Sequence, residues 1–300
     1  MVLLALLGRP VPPARAVRLQ HSPVACAAEG PSFSTLFSEA LPHGRCVLVQ
    51  LPQKEVVEQR VHLEQQQLPG DVRLELHTRE VAHMSNYGPV RQVFFAGGRL
   101  ALRRALQSME APGLEPMLPG RHGAPEIPGS FVGSISHTHG LAAALVSRLP
   151  SGDDAPRAVG IDVELAARPT SLRLARKILA AEERQQLGRE LGVSEQEDLT
   201  LRFSLKEALY KAIHPLVEQS ISWQSVLVSP RRDGSVELQL DELERRTGVR
   251  MAVEARWVRQ DGFYVTTAAA RALVAPSRAP ARLGREEEEL ASGAVPLKRR

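Results

Sequence analysis

Val159-Gly-Ile-Asp-Val-Glu164 is the stretch on which the reading of this chain turns. Val159, Ile161 and Val163 alternate with Gly160, Asp162 and Glu164. Side chains of a strand alternate between its two faces, so the three apolar residues share one face. Asp162 and Glu164 then project together from the other. Two carboxylates at i, i+2 can share a hard cation such as Mg²⁺, which takes oxygen ligands and keeps several waters. Gly160 leaves room beside them. The same alternation also suits an edge strand whose polar face meets water, so the pattern gains meaning only from what surrounds it.

Downstream lies Phe203-Ser-Leu-Lys-Glu-Ala-Leu-Tyr-Lys-Ala-Ile213, a run of good helix formers. Ser204, Glu207 and Lys211 fall at i, i+3 and i+7, which sets them on one stripe. Leu201, Leu205, Ala208 and Ala212 make a neighbouring apolar stripe. His214-Pro215 is expected to end the helix, because proline disfavours helical geometry in the residue before it. Glu207 could complete a metal site while Lys211, one turn on, meets phosphate. An ordinary i, i+4 Glu–Lys pair has the same spacing.

Upstream, Gly133-Ser-Ile-Ser-His137 ends a strand and enters the turn Thr138-His139-Gly140. A histidine there is well placed for a phosphate oxygen, and Ser136 adds a hydroxyl donor. A hydrolase triad of Ser136, His137 and Asp162 is rejected, since adjacent strand residues point to opposite faces and cannot meet as nucleophile and base. Arg99 and Arg103 lie four apart in a helical segment, and Arg121 and His122 sit in a Pro/Gly-rich loop. Guanidinium forks of this kind suit phosphate.

The rest of the 300 residues sets the frame. Hydrophobic residues are 43% and charged residues 24%, ordinary for a globular protein. A net charge of +4 and a pI near 9.4 allow an anionic ligand or acidic partner without singling out nucleic acid. No aromatic–basic interleaving of the single-strand-binding kind is present. Cys26 and Cys46 form no ligand or disulfide framework, which fits a reducing, cytoplasmic setting. No apolar run is long enough to span a bilayer. Residues 1–32 and 275–300 read as disordered extensions flanking two comparable halves, 33–154 and 155–274.

Between the tails, strands are expected at Arg45–Val49, Phe131–Ser136, Leu141–Ser147, Ala158–Glu164, Ser225–Ser229, Val236–Leu240, Met251–Val258 and Phe263–Thr267. Helices are expected at Gly98–Met109, Leu172–Leu187 and Asp198–Ile213, and a loop at Met117–Gly129. Asp233-Gly234 and Asp261-Gly262 are hairpin turns. The fold class is mixed α+β.

Together these segments resemble the 4′-phosphopantetheinyl transferases of the larger, monomeric class, especially the branch of the enterobactin synthetase transferase component. The resemblance runs from about Val90 to Val228. It rests on Gly98-Arg-Leu-Ala-Leu-Arg-Arg-Ala-Leu106, Gly123-Ala-Pro-Glu-Ile-Pro128, Gly133-Ser-Ile-Ser-His137, Gly160-Ile-Asp-Val-Glu164, Ile178-Leu-Ala-Ala-Glu-Glu-Arg184 and Phe203-Ser-Leu-Lys-Glu-Ala-Leu-Tyr-Lys211. Ile127 stands where the family usually has Trp. The resemblance implies a pseudo-twofold fold of two α/β halves, each a small antiparallel sheet on a helix, with the site between them. It implies that Asp162, Glu164 and Glu207 hold Mg²⁺ on the coenzyme A pyrophosphate. It implies that His137 and Ser136 contact coenzyme A phosphate, that Arg99, Arg103, Arg121 and His122 grip the adenosine phosphates, and that Lys206 and Lys211 face the cofactor phosphates. Asp162, Glu207 and Lys211 would carry the chemistry. Glu183 matches a recurrent Glu with no role assigned. The implied partners are coenzyme A and an acyl or peptidyl carrier protein, and the implied state is a monomer. A different Mg²⁺-dependent phosphohydrolase, or an inactive homologue acting as a binding module, are the competing readings.

Overall fold

The computed structural model describes residues 33–52, 68–111, 115–120, 123–127, 129–138, 140–151, 157–168 and 170–273. The expected disordered tails, Arg121, His122 and His139 lie outside the described residues.

Period-two alternation places the strands as expected and extends most of them. In the first half, β1 (Thr35–Leu41), β2 (Gly44–Gln50), β3 (Phe131–Thr138) and β4 (Leu141–Arg148) form an antiparallel sheet in the order β1-β2-β4-β3. Two short helices, α1 (Gly70–Glu75) and α2 (Thr78–Met84), precede the long α3 (Pro89–Ser108). The sequence reading saw only the second part of α3. Proline at its first turn suits a helix start, because the N–H that proline lacks has no intrahelical partner there. Leu100, Ala101, Leu102 and Ala105 are fully buried against the sheet.

The second half begins with β5 (Arg157–Leu165). Two helices follow, α4 (Leu172–Ile178) and α5 (Ala181–Gln186), then the long α6 (Glu195–Val217). A single helix over Leu172–Leu187 was expected. The structure breaks it at Leu179, which is extended and fully buried. Glu183 reaches back to the Ala180 N–H at 2.8 Å and starts a new helix there. β6 (Leu227–Pro230) and β7 (Val236–Gln239) pair as a ribbon, α7 spans Asp241–Thr247, and β8 (Met251–Gln260) and β9 (Phe263–Ala272) complete a sheet in the order β5-β9-β8. Asp261 and Gly262 both have positive φ, as a two-residue hairpin turn requires.

Pro215 does not end α6, contrary to expectation. The helix continues to Val217 and stops at Glu218, in the left-handed region. A proline in the last turn forfeits one hydrogen bond, and burial of Leu216 and Val217 on the core outweighs it at roughly 1.5–3 kcal/mol per side chain.

The apolar face of β5 joins the halves. Val159, Ile161 and Val163 pack with Cys46, Leu48, Leu141, Ala143 and Leu145 of the first sheet. Burial pushes the Cys46 thiol up to about 12, so it is an inert filler. The other face of β5 receives α6. A Cβ on Gly160 would lie 1.9 Å from the Ala208 carbonyl oxygen. Gly160 therefore makes room for the α6 backbone, not for the carboxylates beside it. Among the described residues no helix is long and apolar enough to cross a membrane.

Candidate active site

The alternation of β5 and the close approach at Gly160 bring Asp162 against α6. Asp162 is fully buried and Glu164, two residues on, nearly so. Asp162 is the centre of a cluster drawn from four elements. Ser136 of β3 donates to its Oδ1 at 2.6 Å. Lys211 of α6 donates to Oδ1 at 2.9 Å and to the Ile161 carbonyl at 2.8 Å. Ser204 of α6 donates to Oδ2 at 3.0 Å. Thr266 of β9 lies 2.9 Å from the Ser204 hydroxyl. Ser134 of β3 accepts from the Ile161 N–H at 3.2 Å, which joins the edges of β3 and β5. A buried carboxylate needs this much donation to stay charged. The Lys211 side chain keeps about a quarter of its surface exposed, so the cluster opens to solvent on its side.

The sequence-derived site residues divide into those this cluster gathers and those it does not. Asp162, Lys211 and Ser136 meet directly, with Ser136 hydrogen-bonded to Asp162. Ser136 and His137 face apart as argued from the strand. The His137 ring lies flat on Phe94 of α3, with centroids 4.4 Å apart and planes within 1°. Glu207 sits half-buried on α6 between Ser204 and Lys211.

Arg99, Arg103 and Lys206 are placed otherwise. Arg103 is buried and paired at 2.7 Å with Glu80, itself fully buried. It also donates to the Glu115 carbonyl at 3.3 Å. Arg99 donates to the Met117 carbonyl and lies 4.4 Å over the Phe95 ring. Burial lowers the Arg99 guanidinium to about 10. Lys206 gives its three N–H groups to Glu183 Oε2 at 2.8 Å, Trp223 O at 2.8 Å and Val226 O at 2.7 Å. An ammonium has three donors, so Lys206 keeps none for a phosphate. Burial lowers its pKa and the Glu183 carboxylate opposes that shift. Glu183, unassigned from sequence, also accepts from the Val228 N–H at 3.1 Å and ties α5, α6 and β6 together.

Among the described residues no three His, Cys, Asp or Glu side chains are arranged to hold a metal ion. Lys211, one turn after Glu207 on α6, stands on Asp162. The donor chemistry of the strand pair still fits a hard divalent cation: two buried carboxylates on one face of β5.

Sequence reading missed Thr266 and Ser134. Consecutive threonines in the apolar strand Phe263–Ala272 were the available signal. On the Lys206 side of α6, Leu209, Tyr210 and Ile213 with Ile221, Trp223 and Val226 line a shallow apolar depression. Tyr210 stacks between His214 and Trp223 at its mouth, with centroids 5.1 and 6.0 Å away.

Two family descriptions match the chain. Residues 158–268 match the 4′-phosphopantetheinyl transferase superfamily, and residues 79–147 match the 4′-phosphopantetheinyl transferase N-terminal domain. The 4′-phosphopantetheinyl transferase Svp of Streptomyces mobaraensis is 32% identical over 229 residues, covering 75% of this chain and 87% of Svp. The chain belongs to the 4′-phosphopantetheinyl transferase family. It is a phosphopantetheinyl transferase, of the class that moves the phosphopantetheine of coenzyme A onto carrier proteins. The two matched family regions fall one in each half of this transferase, and Asp162 lies inside the second. Solved structures of an apo-ACPS and an ACPS–CoA complex from Chronobacterium ammoniagenes are 22% and 21% identical. They match 39% and 40% of this chain and 98% and 99% of their own, each with a TM-score of 0.30.

Proposed function

We propose that this transferase moves 4′-phosphopantetheine from coenzyme A to a serine of an acyl or peptidyl carrier protein, with Mg²⁺, at the Asp162 cluster. The observation that carries the reading is the buried Asp162 carboxylate, held by hydroxyls and an ammonium from both halves with its Lys211 side open. The carrier serine oxygen attacks the β-phosphorus of coenzyme A, a new P–O bond forms, and the P–O bond to the 5′-phosphate of the leaving adenosine 3′,5′-bisphosphate breaks. Glu207 takes the serine proton. Lys211 balances charge developing on the bridging oxygen. Such transfers depend on positioning and charge neutralisation more than on covalent help. Asp162 and Glu164 would hold Mg²⁺, with Glu207 completing the set. When bound, Mg²⁺ neutralises pyrophosphate charge.

His137, fixed on Phe94, is proposed to meet a coenzyme A phosphate. We assign Ser136 to holding Asp162, and Arg99, Arg103 and Lys206 to bracing the backbone. Arg121 and His122 remain proposed phosphate contacts. An acidic carrier domain would be attracted to a chain of net charge +4. We place the transferase in the branch of the enterobactin synthetase component on the motifs around Asp162 and Glu207, acting in the cytoplasm as a monomer, and serving siderophore-type or other secondary-metabolite carriers.

The test is intact-mass spectrometry of an apo carrier protein incubated with the enzyme and coenzyme A, with Mg²⁺ or with excess EDTA. The expected gain is one phosphopantetheine, in the Mg²⁺ arm only. Hydrolysis of a model phosphodiester with no carrier modification would replace this reading with a phosphohydrolase.

A further inference from the structure

We infer that Ser204 is a positioning residue for Asp162, with Thr266 behind it setting the direction of its hydroxyl. This rests on the assignment of the reaction to Asp162 and goes beyond it. Ser204, Thr266 and Asp162 are each fully buried. An ionised carboxylate only accepts hydrogen bonds, so the single Ser204 proton must go to Asp162 Oδ2 at 3.0 Å. That leaves the Ser204 oxygen to accept, and the Thr266 hydroxyl is 2.9 Å away. The Thr266 proton faces two acceptors on Ser204, the hydroxyl oxygen at 2.9 Å and the carbonyl at 3.0 Å, so Thr266 secures Ser204 from behind while Ser204 donates to Asp162.

The geometry gives this chain a purpose. Oδ1 of Asp162 is fixed from the first half by Ser136 and from α6 by Lys211. Those contacts fix one oxygen and leave rotation about the carboxylate axis. Ser204 on the second oxygen removes it. Hydrogen bonds in series also polarise one another, so Thr266 strengthens the donor that Ser204 presents. Ser204 lies one helical turn before Glu207 on the same α6 stripe. One hydroxyl thus registers the strand carboxylate against the helix that supplies Glu207 and Lys211.

Outer partners of ligating or reacting carboxylates typically contribute 10–100-fold to activity or metal affinity. Ser204→Ala should lower kcat by about 10–100-fold with KM for the carrier protein unchanged. It should also weaken Mg²⁺ binding to the coenzyme A complex, read by calorimetry. Thr266→Val should lose less, because Ser204 still donates, and Thr266→Ser should restore wild-type kcat. Circular dichroism and active-site titration with coenzyme A normalise every rate to folded enzyme. If S204A keeps wild-type kcat per folded site, or if T266S is as impaired as T266V, the inference is overturned. An Asp162→Ala control separates the two ideas. A dead D162A beside a fully active S204A sinks only the Ser204 role. An active D162A sinks the assignment of the reaction to Asp162.

Discussion

The two halves carry the same internal brace, and the Asp162 cluster departs from it in one respect. In the first half, Glu80 near the start of α2 accepts from the His77 N–H at 3.0 Å and the Met117 N–H at 2.7 Å, and pairs with Arg103 of α3. In the second, Glu183 near the start of α5 accepts from the Ala180 and Val228 N–H groups and pairs with Lys206 of α6. Each buried carboxylate caps a short helix, binds a cation from the half's long helix and pins a distant segment. Each cation also donates to backbone carbonyls, Arg103 to that of Glu115 and Lys206 to those of Trp223 and Val226. The Asp162 cluster uses the same ingredients but leaves its lysine partly exposed. Burial of both partners marks the braces, and an opening to solvent marks the site.

Substitutions at the site and at the braces break or sharpen that contrast. The largest effect is expected at the site: Asp162→Ala should cut transfer on the order of 10²–10³-fold or more, as removal of a transition-state electrostatic contact does, with circular dichroism unchanged. Next, Gly160→Ala forces its Cβ onto the Ala208 carbonyl, so α6 must shift. Both melting temperature and kcat should fall, whereas an unshifted enzyme would show that the strand–helix approach is not needed. Breaking a brace should act on stability alone. Glu80→Ala or Glu183→Ala leaves a buried cation unpaired, at about 3–5 kcal/mol in chemical denaturation. The paired replacement Glu183→Leu with Lys206→Met should recover most of that loss. If Lys206→Met in the paired background still abolishes transfer with full stability, Lys206 does contact the cofactor after all.

The smallest effect concerns His43, in the turn between β1 and β2. Its Nδ1 lies 2.9 Å from the Thr267 hydroxyl of β9 and its Nε2 3.7 Å from Glu254 of β8. Burial holds its pKa below the usual 6.5, and the largely exposed Glu254 only partly opposes this. The unfolded chain therefore binds more protons than the folded one between the two pKa values, so stability rises with pH across that window. The contribution is complete above 6.5 and disappears as pH falls through the folded value. His43→Gln should flatten this slope in melting curves taken from pH 7.5 to 5; an unchanged slope would assign it to other groups.

Legibility in the sequence followed locality. β3 and β5 were readable because their alternation is written in consecutive residues, and β4 because Leu141–Val146 is an unbroken apolar run. The apolar stripe of α6 was readable for the same reason, at helical spacing. β1 was not: its exposed run Thr-Leu-Phe-Ser-Glu-Ala-Leu has no consistent alternation of burial. α2 was missed because its N-cap is His77, outside the usual set of capping residues. Lys206 and Lys211 looked alike in sequence, yet five residues set them about 140° apart on a helix. Only the partners met at each angle, Glu183 for one and Asp162 for the other, separate a brace from a site. Likewise Glu80 meets Arg103 across 23 residues, a contact no local pattern announces.

The most direct test of the Asp162 assignment is carrier-protein modification followed by intact-mass spectrometry, with wild-type and D162A enzymes matched for folded concentration. Wild type should load one phosphopantetheine onto the acceptor serine with coenzyme A and Mg²⁺, and D162A should leave the carrier in its apo mass. Equal loading by the two proteins would contradict the account.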